Sequence, residues 1–225
     1  FALVVRGVVA RGLAEPEHAA DLLADALGYC EKTGHPLLIG IARTLRGQVA
    51  LDRGQPAVAE VEARAVLAVV EPHDALPAAQ VGPRVLLACA RLARDEPASA
   101  AQLLAPIAQA ADDPSLLFSR RQAVAEYANA LLADGRPAEA VRWARRAIDA
   151  PAEDVRSLVV ATRVLADALA ADGQLTAALA TAEEAVRLAY GTQQVGERGA
   201  ADALRNDLAG RLAAANGPVK SDARQ

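Results

Sequence analysis

The stretch Gly135-Arg136-Pro137-Ala138-Glu139-Ala140 determines the predicted fold, because close variants of it occur at four other places in the 225-residue chain. The five copies begin at intervals of 40, 41, 40 and 38 residues and are, in chain order, Ala14–Ala19, Gly54–Ala59, Asp95–Ala100, Gly135–Ala140 and Gly173–Ala178. A period between 20 and 50 residues that holds over five copies predicts a stack of similar structural units and not a single globular core.

Each copy has the residues of a turn between two helices. Glycine or aspartate at its first position suits the end of one helix. Proline two positions later suits the first turn of the next helix, where its missing N–H costs no hydrogen bond. The fifth copy has Leu175 at the proline position. The copies therefore predict five corners, each joining a first helix to a second helix.

Small or moderately sized residues recur on both sides of these corners. They stand seven positions before and twelve positions after the first residue of each copy, at Gly7, Gly47, Ala88, Ala128 and Ala166 and at Ala26, Val66, Ile107, Ala147 and Ala185. Residues of this kind let neighbouring helices approach closely. Between the copies, Pro36, Pro72, Pro114 and Pro151 mark the opposite corner, where one helix pair passes to the next.

The composition favours an all-α protein. Hydrophobic residues make up 53% of the chain and aromatic residues 3%. Most of the apolar residues are alanine, which has the highest helix propensity. First helices are predicted at 2–13, 36–53, 77–94, 115–134 and 153–172, second helices at 16–33, 56–70, 97–111, 137–149 and 175–190, and a capping helix at 195–215. The repeats then cover about 1–34, 35–74, 75–113, 114–151 and 152–191, with the cap at 194–215 and a polar tail or linker at 216–225.

Charge and hydropathy exclude several functional classes. The formal net charge is -4, which does not suit a surface that grips nucleic-acid phosphates. The sequence contains no uncharged apolar run long enough to span a membrane. Its start at Phe1 lacks the ordered regions of a signal peptide. We therefore expect a cytoplasmic protein. Because the chain has no methionine, we also expect it to be a piece of a longer protein.

Catalytic and metal-binding patterns are missing from the sequence. The histidines His18, His35 and His73 lie near predicted turns, without a nucleophile in a suitable motif. No glycine-rich phosphate loop with its lysine occurs. Cys30 and Cys89 are far apart and lie in helical patterns, which predicts reduced thiols. The sequence predicts neither an enzyme nor a bound cofactor or metal ion.

The corner residues resemble the tetratricopeptide repeat (TPR). Glycine at the turn, alanine five residues later, a small residue seven residues earlier and alanine near the end of the second helix are clearest in Gly135–Ala147 and Gly173–Ala185. The period differs from the usual 34 residues, and the bulky position early in the first helix is occupied by Leu3, Arg43, Arg84, Val124 and Thr162. The resemblance covers about 190 residues. It implies a right-handed superhelix of about five antiparallel helix pairs with a C-terminal capping helix.

The longer period is similar to that of the large ATP-binding LuxR-class regulators of the maltose-activator type in bacteria. That resemblance implies a ligand-sensing or protein-interaction domain within a transcription regulator. The alternative is a stand-alone TPR scaffold or adaptor that binds a protein partner, and the sequence leaves the oligomeric state open. TPR co-chaperones hold acidic peptides with lysine, asparagine and arginine at fixed groove positions. Here Asn129 matches, but Ala125 and Val160 replace the lysines, which argues against that clamp.

In the register of this family, the first helices line a concave groove. The predicted lining residues are Ile41, Thr44, Gln48, Leu51, Asp52, Val85, Cys89, Leu92, Gln122, Ala125, Asn129, Leu132, Val160, Arg163 and Asp167. Candidate partner contacts among them are Thr44, Gln48, Cys89, Gln122, Asn129, Arg163 and Asp167. We expect a mainly apolar lining with an Arg163–Asp167 ion pair, suited to a protein segment or a neutral small molecule. The alternative is a groove that its own side chains fill and that binds nothing.

Overall fold

The computed structural model describes residues 1–71, 77–110, 120–150, 155–192 and 194–215, and over these ranges it contains eleven α-helices and no strand. In chain order the helices are α1 (Ala2–Gly12), α2 (Pro16–Thr33), α3 (Pro36–Asp52), α4 (Pro56–Val70), α5 (Pro77–Leu92), α6 (Pro97–Gln109), α7 (Arg120–Ala133), α8 (Pro137–Asp149), α9 (Val155–Ala171), α10 (Leu175–Tyr190) and α11 (Val195–Ala215). The predicted all-α architecture is confirmed.

Most helix ends agree with the sequence prediction to within two residues. The helix expected from 115 is described only from Arg120 onward, since 111–119 lie outside the described residues. The corner prolines Pro72, Pro114 and Pro151, together with the tail 216–225, also lie outside them.

The five corners share one backbone geometry. In each copy the first residue has a positive φ, which is 61° at Ala14, 70° at Gly54, 60° at Asp95, 74° at Gly135 and 81° at Gly173. At the fourth corner the Gly135 N–H donates to the carbonyl of Leu132 at 3.0 Å, and the Arg136 N–H donates to the carbonyl of Leu131 at 2.9 Å. This pair of bonds is the Schellman motif, which satisfies the last carbonyls of a helix. The corner prediction is confirmed at all five positions.

Close packing between the helices depends on the small residues near the corners. Ala88, Ala128 and Ala166 are fully buried. A methyl group added at Gly7 would lie 2.7 Å from Cγ of Leu23, and one at Gly47 would overlap Leu86. Larger side chains at these positions would push the neighbouring helices apart.

The helices form two layers of a solenoid. Each helix packs against its neighbours in sequence, and α3, α5, α7, α9 and α11 also pack against one another in succession. These odd-numbered helices form the inner layer, and the even-numbered helices form the outer layer. The fold is therefore an α-solenoid whose inner layer surrounds a groove. Among the described helices, none is long and apolar enough to cross a membrane.

Candidate functional site

The inner layer encloses a cavity of about 500 Å³, here called the central cavity. Helices α1, α3, α7, α9 and α11 supply most of its wall. Its lining residues are Val8, Arg11, Gly12, Ala14, Pro16, Leu45, Gln48, Asp52, Gln122, Arg156, Ser157, Arg163, Gln194, Gly196, Glu197 and Ala200. The first and the last helix of the described chain therefore face the same space.

The two ends of the solenoid approach each other at the edge of this cavity. A methyl group added at Gly12, the last residue of α1, would lie 3.1 Å from Oε1 of Gln194. Gln194 directly precedes α11. Glycine at position 12 thus permits a close approach between the end of α1 and the residue before α11, which narrows the groove of the solenoid at this edge.

One wall is held by Arg11 of α1. Its guanidinium donates to both carboxylate oxygens of Asp52, with Nε 2.5 Å from Oδ2 and Nη2 3.1 Å from Oδ1. Its Nη1 also donates to Oε1 of Gln48 at 2.8 Å. Asp52 and Gln48 lie one helical turn apart on α3, so Arg11 fixes α1 against the inner layer by a two-pronged contact.

A second part of the wall is held by Glu197 of α11. Its Oε1 accepts from Nε of Arg156 at 3.0 Å, and its Oε2 accepts from Nη1 of Arg163 at 2.7 Å. Both arginines lie on α9, seven residues apart and therefore on one face of that helix. Arg163 forms its close ion pair with Glu197 of α11 instead of the expected Asp167. Partial burial raises the pKa of the Asp167 carboxyl, and the charge of Arg163 still acts on Asp167, since it partly offsets this rise.

A smaller cavity of about 60 Å³ lies deeper in the groove, and its lining includes Cys89, Glu126 and Val160. Burial raises the pKa of the Glu126 carboxyl, while the Asn129 amide, which donates to its Oε2 at 3.3 Å, and the charge of Arg156 partly offset this shift. Burial and the neighbouring Glu126 raise the pKa of the Cys89 thiol well above its usual value. Cys89 is therefore a thiol and not a thiolate nucleophile at neutral pH.

Of the seven contact residues predicted from the sequence, four line a cavity and three do not. Gln48, Gln122 and Arg163 line the central cavity, and Cys89 lines the smaller one. The remaining three lie outside both linings. Thr44 donates its hydroxyl to the carbonyl of Gly40 at 2.8 Å, Asn129 donates to Glu126, and Asp167 is exposed.

The sequence analysis missed the charged residues of the cavity. Arg11, Glu126, Arg156 and Glu197 were not among the candidates, and they add charged groups to a lining whose surface is still slightly more apolar than polar. Glu126 follows Gln122 by four residues and Arg156 precedes Arg163 by seven, so helical spacing could have found both. The end helices carry no comparable local signal, because their place in the wall depends on contacts between distant parts of the chain.

Residues of catalytic type form no constellation at this site. His18 and His35 are exposed, and His73 lies outside the described residues. Cys30 and Cys89 are free cysteines. Within the described ranges, no group of three or more histidine, cysteine, aspartate or glutamate side chains could hold a metal ion. The chemistry that the cavity offers is ion pairing and hydrogen bonding from guanidinium, carboxyl and amide groups.

Comparison with known proteins supports the fold assignment. No protein-family model and no curated protein matches the sequence. A solved structure from Podosopora anserina, a kinesin light chain candidate with nearly identical TPR-like repeats, is 20% identical with a TM-score of 0.57, covering 86% of this chain and 96% of the other. A substituted form of that protein has a TM-score of 0.58 at 20% identity, covering 85% and 95%. This chain is thus similar in fold to TPR-like repeat proteins.

Proposed function

We propose that the chain is a non-catalytic binding module that takes up one small polar ligand, or the end of a peptide, in the central cavity. The observation that carries this proposal is the partly enclosed space of about 500 Å³, which α1 and the start of α11 line together with the other inner helices. Binding pockets for small ligands fall between roughly 300 and 1,000 Å³. A whole α-helix about 10 Å across would not enter without separating the two end helices.

The lining favours a polar ligand over an apolar one. Gln48, Gln122 and Gln194 present amide groups that can donate and accept hydrogen bonds. The arginines of both walls add charged donors. In this proposal the small-molecule effector inferred from the sequence is a ligand with at least one polar or charged group.

A cavity-filling variant tests the proposal. Ala200→Trp places a large side chain in the cavity wall, and Ala214→Trp places the same side chain at an exposed position near the end of α11. Metabolites and short peptides would be screened by thermal shift and titration calorimetry. We expect a ligand that binds the wild type and the Ala214→Trp variant but not the Ala200→Trp variant. A ligand that binds all three equally would contradict binding in this cavity.

We also propose that the module belongs to a cytoplasmic bacterial transcription regulator of the LuxR class. The period of 38 to 41 residues and the empty aromatic positions support this assignment. The native gene product should then carry a nucleotide-binding module and a DNA-binding helix-turn-helix, and the ligand should change its DNA affinity. A native product with neither module would leave the alternative, a stand-alone scaffold that binds a protein segment in the same groove.

A further inference from the structure

Arg156 and Arg163 of α9 both bind the carboxylate of Glu197. All three residues lie in the wall of the central cavity. The carboxylate of Glu197 is nearly buried, with its side chain 11% exposed, whereas the Arg156 and Arg163 side chains are 34% and 28% exposed. Both arginine side chains therefore keep more accessible surface than the carboxylate that they bind, and both line the cavity. The bound carboxylate shows which chemical group the two arginines fit.

The helix that brings Glu197 to this place is lightly packed. Helix α11 buries three of its 21 residues, whereas α9 buries ten of its 17. In the first turns of α11, a methyl group at Gly196 or Gly199 would meet nothing within 4 Å. The first turn of α11 contacts α9 through the Glu197 carboxylate, and Ala201, one turn later, is fully buried in a cluster with Val159 of α9.

The start of α11 has a second attachment, to α10. Arg198 donates to the carbonyl of Ala189 at 3.4 Å and to the carbonyl of Thr192. Loss of the Glu197 contact would thus let the first turn of α11 shift while the helix stays joined to α10. Glu197 would keep a favourable position, because an acidic side chain in the first turn of a helix is stabilised by the helix dipole.

The charge of the wall also favours an incoming anion. Among the described residues that line the central cavity, three are arginines and two are carboxylates. Arg11 is occupied by Asp52 and Gln48. The lining of the central cavity thus has one more arginine than carboxylate, which favours an incoming anion.

We propose that Arg156 and Arg163 form an exchangeable carboxylate site, in which the carboxylate of a ligand replaces Glu197 and detaches the first turn of α11 from α9, while Arg198 keeps it joined to α10. This inference rests on the proposed binding function and specifies its ligand class. The site differs from the peptide clamp of TPR co-chaperones, since its cations are two arginines of one helix and its resting occupant is the chain's own Glu197. Ligand binding would thereby be converted into movement of the last helix.

The test uses defined probes and three variants of the 225-residue chain. The probes are succinate, trialanine with a free C-terminal carboxylate and the same tripeptide with an amidated C-terminus. Glu197→Gln removes the resident carboxylate, Arg163→Gln removes one receiving arginine, and Glu184→Gln is the matched control in an exposed pair with Arg187 on α10. Dissociation constants come from NMR titration of the arginine Nε–H signals, and hydrogen exchange reports on the first turn of α11. Circular dichroism verifies that each variant is folded.

We expect succinate or free-acid trialanine to bind Glu197→Gln at least about tenfold more tightly than the wild type, because the competing carboxylate is gone. Arg163→Gln should lose binding and Glu184→Gln should bind as the wild type does. Binding of succinate alone identifies a free carboxylate as the ligand class, and binding of trialanine but not its amide identifies a peptide end. In the wild type, the bound probe should speed exchange of the amides at 195–200.

Several results would overturn the exchange site. Equal dissociation constants for the wild type, Glu197→Gln and Arg163→Gln would do so, as would the absence of carboxylate binding in every variant. Tighter binding to Glu197→Gln without faster exchange in α11 of the wild type would contradict the displacement of Glu197. A neutral ligand that is sensitive to Ala200→Trp, together with no carboxylate binding, would remove this inference and leave the proposed function intact.

Discussion

The five corners and the central cavity depend on the amino-acid sequence in two different ways. The corners repeat one local device, a left-handed residue with two backbone hydrogen bonds, at five places. The cavity is built once, from unlike residues of six helices and the segments beside them. The conformation of each corner depends on residues that are close in sequence, and it is repeated five times. The binding surface occurs once and depends on contacts between residues that are distant in sequence. Substitutions in the two regions should therefore affect different properties.

The largest effect is expected in the scaffold, at the close helix contacts. Ala166→Leu should lower the free energy of unfolding by roughly 1 to 3 kcal/mol, because α9 is fully packed at this position and extra methyl groups have no space. Urea denaturation measures the change. Ala209→Leu on the exposed side of α11 is the matched control and should leave the midpoint nearly unchanged. Equal midpoints for Ala166→Leu and the wild type would show that the packing described for α9 is wrong.

Smaller effects on the free energy of unfolding, one of each sign, are expected at two of the corners. Asp95 has a φ of 60°, in the region that favours glycine. Asp95→Gly should raise the free energy of unfolding by about 1 kcal/mol, and Gly135→Ala should lower it by a similar amount, since a left-handed conformation costs a residue with a Cβ about 1 to 2 kcal/mol. Thermal and urea denaturation of both variants measure the two shifts. If Asp95→Gly is destabilising, the five corners are not equivalent.

The smallest effect on stability is expected in the cavity, where pH is the variable. Burial raises the pKa of Glu126, with Cys89, Asn129, Arg156 and Arg163 around it. The folded state then binds more protons than the unfolded state above the usual carboxyl pKa. This contribution to stability is present at low pH and is lost as pH rises through the raised pKa.

Glu126→Gln should remove that contribution, so that the wild type loses stability relative to the variant as pH rises above the usual carboxyl range. Urea midpoints measured at several pH values for both proteins provide the test. Glu139→Gln is the control of opposite sign, because the hydrogen bond from Arg136 lowers the pKa of Glu139. Parallel pH profiles for the wild type and Glu126→Gln would show that Glu126 is not held in a buried environment.

The same contrast explains what the sequence could predict. The helix ends could be predicted because proline and left-handed residues fix the backbone conformation only within a few positions along the chain, as at Gly54 and Pro56. Part of the groove, such as Gln48 and Gln122, followed from helical spacing once the inner helices were known.

The rest of the cavity could not be found in this way. The pairs Arg11–Asp52 and Arg163–Glu197 join residues 41 and 34 positions apart. Whether such residues meet depends on the accumulated rotation from one helix pair to the next, which no short pattern specifies. For the same reason the sequence did not show that Arg163 pairs with the distant Glu197 and not with Asp167, four residues away.

The proposed binding site depends on the close approach of the two ends of the solenoid at the edge of the groove. The most direct test is the NMR nuclear Overhauser effect between the α-protons of Gly12 and the side-chain amide protons of Gln194. Because a methyl group at Gly12 would lie 3.3 Å from Nε2 of Gln194, we predict clear cross-peaks between these protons. Their absence, in spectra that show the contacts between Arg11 and Gln48, would mean that the groove is open and that α1 and α11 do not enclose a ligand.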